Sequence, residues 1–436
     1  MILEGLKLLT HLDVLVALFA GTLGGMFIGA MPGLSASMAV ALLIPVTFSM
    51  SAEAGITMLT AVYTSAIYGG SITACLLHTP GTPASAATAA DGFALTKRGQ
   101  GLKAIGTSTI SSMIGGTISA IALLFIAPLL SRVALMFSSL EYFLVGIFGL
   151  TIIGSLAGDN MMKGLLSGCL GLLIGCIGLD IQSGSPRYCF GILELQSGVQ
   201  LIPAMIGLFS ISQVMFSIED LAKGKMTVLD ENAKNLKGSP LLPWREFKKL
   251  IPTIGFSSVI GVLVGILPGA GGDIGSWISY NTAKNRSKDK ESFGKGSLVG
   301  IAASEAANNA VTGGALIPLL TLGIPGSGVA AIMLGGLMIK GLNPGYKLFS
   351  DAVQGPIVFC IILGFMMANI IMGVAGLLIC KQVVRISTVP MTILAPLIVA
   401  LSVVGSYAVR QSTFDVFVML IFGFLGYFMR KFGFAT

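Results

Sequence analysis

The sequence predicts an all-α polytopic membrane protein: about ten to twelve transmembrane helices in two repeats of inverted topology, with broken or re-entrant helices meeting near the bilayer midplane. Three observations carry this. Of 436 residues, 54% are hydrophobic and only 10% charged, with a mean hydropathy of +0.91. The apolar residues lie in long uncharged runs rather than amphipathic stripes. Hydrophobic segments interrupted by glycine and proline recur at matching positions in two halves.

The runs 14–31, 35–50, 104–129, 141–157, 161–181, 199–217, 251–267, 354–379, 389–408 and 412–429 are each near the roughly 20 residues that a helix needs to cross hydrocarbon. None alternates as the short strands of a membrane barrel would. The start, MILEGLKLLTHLDVLV, lacks the basic opening and small-residue cleavage site of a secretory signal, so the first helix is expected to stay in the mature protein.

The net charge of +7 does not point to nucleic acid, because the basic residues sit in short loops between spans. Loop 218–249 holds seven Lys or Arg and loop 284–295 holds five, the excess expected of cytoplasmic loops. Lys97, Arg98 and Lys103 suggest a third. The organisation expected is a first membrane repeat at 1–217, a cytoplasmic connecting loop at 218–249 and a second repeat at 250–436. The six cysteines (75, 169, 176, 189, 360, 380) form no CxxC, and the only histidines are His11 and His78. Metal and thiol chemistry are therefore not expected, and neither is a cofactor beyond a coupling ion, Na⁺ or H⁺.

The repeat is legible directly. GMFIGAMPGLSASMAV (25–40) aligns without a gap on GVLVGILPGAGGDIGS (261–276), placing Gly25, Gly29, Pro32 and Gly33 on Gly261, Gly265, Pro268 and Gly269. Further on, SAIYGGSITACLLHTPGT (65–82) parallels NAVTGGALIPLLTLGIPGS (309–327), with Gly69 and Gly70 on Gly313 and Gly314, and Pro80 and Gly81 on Pro325 and Gly326 after one inserted residue. A lone GxxxG reads as close helix packing and a lone PG as a kink. Paired at matching positions of two halves, they point to a transporter's binding site.

LLHTPGTPASAATAAD (76–91) carries Pro80, Gly81 and Pro83 with the hydroxyls of Thr79, Thr82, Ser85 and Thr88. Non-helical backbone at membrane depth is tolerated only where it is buried in protein or lines a watery cavity. A broken helix also presents its first N–H groups and the positive end of its dipole, which favour an anion without any Arg or Lys. Pro325, Gly326 and Ser327 offer the same device in the second half.

The stretches YGGSITACLLHTPGTPASAATAADGFALTKRGQ and SEAANNAVTGGALIPLLTLGIPGSG, with LPGAGGDIGSWISY, FGKGSLVG and SPRYCFG, resemble the large membrane subunit of the tripartite tricarboxylate transporter family along nearly the whole chain. The resemblance implies a bacterial inner-membrane, multi-pass secondary transporter for citrate-like or other organic acids, driven by a cation gradient. It also implies two partners, a small membrane subunit and a periplasmic solute-binding protein that delivers the substrate. Members of the family usually continue past LGYFMRKFGF with another apolar region, whereas this chain stops at Thr436, so a truncated C-terminus or a shorter scaffold is expected.

Acids within apolar sequence are functional candidates by default. Glu305, and Asp273 aligned with Ser37, are the candidates for ion coupling, the alternative for either acid being a helix cap. Asp91 reads instead as the approach to a loop. Asn308, Asn309 and Thr312 stand just before one double glycine, and Ser65, Tyr68 and Ser71 stand around the other. Individually these could be interhelical glue. As a set with the glycines and the two PG turns they form the expected substrate site. A sodium/proton antiporter would also use broken helices, but it would want more carboxylates at the crossing. An intramembrane enzyme is disfavoured by the absence of GxGD and HExxH.

The inverted topology has a direct test. The basic loop 284–295 follows one PG segment, while the uncharged FSMSA (48–52) and Glu53 follow the other. Cysteines placed at Ser51 and Ser287 should therefore react with impermeant reagents from opposite faces, and labelling from one face would exclude inversion.

Overall fold

The computed structural model describes residues 1–436 apart from 32–33, 79–80, 135, 139, 142, 145–146, 148–160, 181–182, 224–237, 270, 387–390 and 435–436. The chain opens with α1 (Ile2–Leu9), α2 (Leu12–Gly29), α3 (Ala36–Leu43), α4 (Ala52–Leu77), α5 (Ala86–Lys97), α6 (Gly101–Ala134) and α7 (Met161–Gly175). A two-stranded hairpin follows, β1 (Gly178–Leu179) antiparallel to β2 (Pro186–Arg187). Then come α8 (Leu201–Ala222, with a π-helical turn at Ile206–Ile211), α9 (Trp244–Ile266), α10 (Gly271–Arg286), α11 (Leu298–Leu322) and α12 (Gly328–Ile339). The chain closes with α13 (Tyr346–Ser350), α14 (Gln354–Ile386), α15 (Met391–Arg410) and α16 (Thr413–Lys431).

The architecture is all-α and polytopic. Among the described residues eight helices, α2, α4, α6, α8, α9, α14, α15 and α16, are long and apolar enough to cross a membrane. That is fewer than the ten to twelve runs expected. Run 35–50 splits into α3 and a 3₁₀ turn at Pro45–Ser49, because proline cannot continue a helix. Run 161–181 leaves the helix at Gly175 and enters β1. Run 141–157 lies largely outside the described residues. Conversely α4, whose hydroxyls and glycines dilute its apolar character, is a long buried helix that is not among the runs read from the sequence.

Helix ends follow local chemistry. Ser51, Ser297 and Ser412 accept from the first-turn amides of α4, α11 and α16. α4 ends on His78 and α11 on Gly323, both in the left-handed conformation that closes a helix.

Two compact units are formed. One comprises Met1–Val40, Thr47–Met136 and Met226–Val389; the other comprises Ala41–Val46, Phe137–Lys225 and Pro390–Thr436. The first unit contains both copies of the repeat, with α2 packed on α4 and α9 packed on α11. A methyl on Gly25 or Gly29 would strike the carbonyl of Val62 or Ala66; on Gly261 or Gly265 it would strike that of Ala307 or Val311. Likewise Gly69 lies against the Met26 carbonyl and Gly314 against that of Val262, while Gly81 and Gly326 face the carbonyls of Gly29 and Gly265.

These contacts correct the sequence alignment by one residue. Gly69 does the work of Gly314, not of Gly313, and no insertion separates the double glycine from the PG turn. Tyr63 and Thr64 therefore correspond to Asn308 and Asn309, and Thr82 to Ser327. Ser65 is the counterpart of Ala310 and not of Asn309.

Close crossing makes the glycines sensitive to size. Gly29→Val should lower the thermal midpoint of the detergent-solubilised protein, since overpacking costs about 1–3 kcal/mol and here meets backbone. Gly24→Val, on the same helix with open space around it, should leave the midpoint unchanged. Equal effects would show that α2 is not held at this distance.

Candidate functional site

α4 stops at Leu77, and His78 turns the chain with φ 53°. Gly81 then donates its N–H to the Gly70 carbonyl at 3.2 Å, holding this glycine against the helix that precedes it. The Thr82 and Ser85 hydroxyls bond each other at 2.9 Å, and Pro83–Ser85 makes a 3₁₀ turn leading into α5. Against this turn packs α10 of the other half. A side chain on Gly272, in the first turn of α10, would lie 3.1 Å from the Ala84 Cβ and 2.9 Å from Asn308 Oδ1. Asn308 is 1% exposed, and neither its Nδ2 nor its Oδ1 has a hydrogen-bond partner. An unpaired buried amide is expensive, so it marks a place where a polar group belongs.

The second PG turn is covered in the reciprocal way. Ser327 caps α12 by accepting from Ala330 N–H at 3.2 Å, and the buried Tyr63 of α4 lies 3.3 Å from the Ser327 hydroxyl. Ser37, in the first turn of α3, is 3.8 Å from where a side chain on Gly328 would stand. Tyr63 and Asn308 are counterparts on the corrected register. Each half thus places its central helix and its short half-helix against the PG turn of the other half.

Beside these junctions lies a buried polar core. Glu305, fully buried on α11, accepts from Thr88 Oγ1 at 2.5 Å and from Ser112 Oγ at 2.8 Å, and Thr88 also meets the Ser304 hydroxyl at 2.8 Å. Among the described residues no Lys, Arg or His forms an ion pair with it. Asn309 donates to Thr64 Oγ1 at 3.4 Å and to the Ser112 carbonyl at 3.3 Å, while Thr64 donates to Asn369 Oδ1 at 2.7 Å. The counterparts Thr64 and Asn309 therefore touch each other. Tyr68 meets Thr109 at 2.7 Å and Ser71 meets Ser108 at 2.6 Å, tying α4 to α6.

The residues singled out from sequence thus fall into separate places. Gly81, Thr82, Ser85 and Asn308 gather at one junction with Gly70, whose missing side chain makes room for Thr82. Pro325, Gly326, Ser327 and Ser37 gather at the other. Tyr68, Ser71, Glu305 and Asn309 belong to the polar core. Ser65 turns away from all three: it donates to Ala61 O at 2.6 Å and approaches the Gly21 carbonyl of α2 at 3.5 Å. Thr312 bonds back to Asn309 O at 2.6 Å, Gly313 faces Ser119 and Gly314 faces α9. Asp273 is exposed in the first turn of α10, where an acid complements the helix dipole. Thr79 and Pro80 lie outside the described residues.

Sequence reasoning missed Tyr63, Thr64, Asn369 and the α6 hydroxyls Ser108, Thr109 and Ser112. The run TSTISS (107–112) within an apolar span was the available signal. It also underrated Asp91, which is fully buried and accepts 2.8 Å bonds from the N–H groups of Gly296 and Ser297 and from the Tyr280 hydroxyl. One carboxylate thereby ties α5 to α10 and to the start of α11.

The family model of the Tripartite tricarboxylate transporter TctA family matches residues 15–436. The chain is 33% identical over 415 residues to an uncharacterized 52.8 kDa protein in the TAR-I ttuC' 3'region of Agrobacterium vitis, covering 95% of this chain and 81% of that protein. A protein in the TAR-II ttuC' 3'region of the same organism is 35% identical over 173 residues, 40% of this chain and 71% of its own length. No solved structure matches.

Asp91→Asn should destabilise the protein by on the order of 2 kcal/mol, because a charged acceptor of three bonds becomes a neutral one with an amide N–H₂ facing other donors. Tyr280→Phe should cost less, since it removes one donor. Thermal unfolding in detergent checks both; an unaltered Asp91→Asn midpoint would show that the tie is not structural.

Proposed function

The chain belongs to the tripartite tricarboxylate transporter TctA family, and from that premise we propose that it carries a di- or tricarboxylate or a similar organic acid across the bacterial inner membrane in cation-coupled symport. In this reading a periplasmic solute-binding protein delivers the substrate and a small membrane subunit completes the transporter. The observation that carries it is Asn308: a buried amide with both polar atoms unpaired, set against the first turn of α10 and the Thr82–Ser85 turn of the other half. That ligand set is neutral. Amide, hydroxyls and a helix N-terminus hold an anion by dipoles, a grip weak enough to release it again.

Coupling is assigned to Glu305. A buried carboxylate in a shell of hydroxyls, without a basic partner, has its charge best balanced by a bound H⁺ or Na⁺. Residues 305 and 308 lie three apart on α11, neighbouring positions on one helix face, so a cation on one favours an anion at the other. The rival antiporter reading would call for more free acids. Among the described residues the fully buried acids are Asp91, Glu305 and Asp415; Asp91 is held by three donors and Asp415 by Arg410.

The two asparagines separate function from stability. Asn308→Ala should raise the half-saturation of uptake by roughly tenfold to a hundredfold, the equivalent of about 1–3 kcal/mol, with thermal stability kept because no protein bond is lost. Asn309→Ala should lower stability, because its amide bridges α11 to α4 and α6. Uptake of radiolabelled carboxylate against concentration, normalised to inserted protein, decides. Wild-type half-saturation in Asn308→Ala would remove the site from this junction.

A further inference from the structure

The second compact unit has one basic end and one that is not. At the basic end Lys431 approaches Glu219 at 3.2 Å, Tyr427 donates to the same carboxylate at 2.5 Å, Arg430 donates to Gln213, and Lys163 donates to the Phe432 carbonyl at 2.5 Å. Lys163 lies in the first turn of α7, Lys223 caps α8 after Glu219, and Arg430 and Lys431 end α16, so the three helices meet at an end with an excess of basic residues. Excess Lys and Arg marks the cytoplasmic side. The opposite ends of the same helices therefore face the periplasm.

There α7 and α8 are joined by a lobe that carries the β-hairpin. β1 pairs with β2 through Gly178 and Arg187, Asp180 N–H donates to Ser185 O at 2.9 Å, and Gly184 N–H donates to Asp180 O at 2.8 Å. Leu193–Ser197 adds a 3₁₀ turn, fastened by Arg410 to the Ser197 hydroxyl at 2.5 Å. On this scaffold Tyr188, Phe190 and Leu193 are 54%, 83% and 73% exposed. Tyr188 and Phe190 are held at φ 53° and 50°, a conformation that bulky side chains seldom adopt.

We propose that this lobe is the docking surface for the periplasmic solute-binding protein, with Tyr188, Phe190 and Leu193 as its anchors. The proposal rests on the tripartite reading above for the identity of the partner. Three features favour a protein over lipid. The lobe lies at the periplasmic end by charge. Its aromatic side chains are aimed by a fixed backbone, and such pre-organisation lowers the entropy cost of docking, whereas insertion among lipids needs no fixed orientation. Its basic residue, Arg187, is paired with Asp180 at 3.4 Å, and Arg410 beneath it with Asp415 at 2.5 Å, so neither cation is free for a lipid phosphate.

The test uses the complete transporter in proteoliposomes and its own fluorescently labelled solute-binding protein. Phe190→Ser combined with Leu193→Ser should weaken association at least tenfold, yet uptake should recover when the binding protein is raised to saturation. Phe432→Ser, exposed at the cytoplasmic end, should leave association unchanged. Equal association of the wild type and the double variant would overturn the proposal. So would a tryptophan at position 190 quenched by brominated lipid and insensitive to the binding protein, which would make the lobe a lipid anchor. A wild-type transporter that associates with no solute-binding protein would instead overturn the tripartite function, and the docking surface with it.

Discussion

A helix broken inside an apolar core leaves N–H and C=O groups that need partners, and the first unit of this protein is arranged around meeting that constraint twice. The turn at Thr82–Ser85 is covered by α10 and Asn308, and the turn at Ser327 by Tyr63 and Ser37. Each half bonds part of its own break, Gly81 donating to the Gly70 carbonyl and Gly269 to that of Gly326, while its short helix meets the other half's turn. This reciprocity explains why the motifs come in pairs. It also explains why α4 and α11, which bring the two junctions together, are buried along almost their whole length although they carry hydroxyls, amides and an acid.

The glycines serve the same end. Gly25, Gly29 and Gly69 let α2 and α4 approach until carbonyls touch the helix opposite, and Gly261, Gly265 and Gly314 repeat this for α9 and α11. Only at that separation can Gly81 and Gly326, which follow the two central helices, reach back to the carbonyls of Gly29 and Gly265. Close packing and the geometry of the two turns are therefore one device. The bland reading of GxxxG and the functional reading of PG describe successive links in it.

Much of this was legible in the sequence, and the errors have physical causes. The paired motifs located both breaks because proline and glycine act locally on the backbone, whatever surrounds them. The register of the second pair was wrong by one residue because a double glycine offers two adjacent positions, and only the facing helix decides which is used. On a helix one residue is about 100° of rotation. That rotation separates Ser65, turned onto α2, from Thr64, bonded to Asn369, and Asn308, unpaired at the junction, from Asn309, bonded in the core. The α6 hydroxyls were harder still. Thr107 and Thr109 fold back onto the carbonyls of Lys103 and Ile105, as hydroxyls in helices commonly do, while Ser112 reaches Glu305. Nothing local to the run distinguishes the two behaviours.

Glu305 of α11 is bonded to two helices of the first half. Its carboxylate is held by Thr88 from α5, which directly follows the first PG turn, and by Ser112 from α6, whose carbonyl also receives Asn309. In the proposed coupling a proton or cation at Glu305 would change the charge to which Thr88 donates, and Thr88 is joined through one turn of α5 to Ser85 and Thr82. The first turn is therefore joined to Glu305 of α11 through the Thr88 hydroxyl, and α11 itself packs against that turn. Under the proposed coupling no long pathway is needed, because Glu305 and Asn308 lie three residues apart on α11.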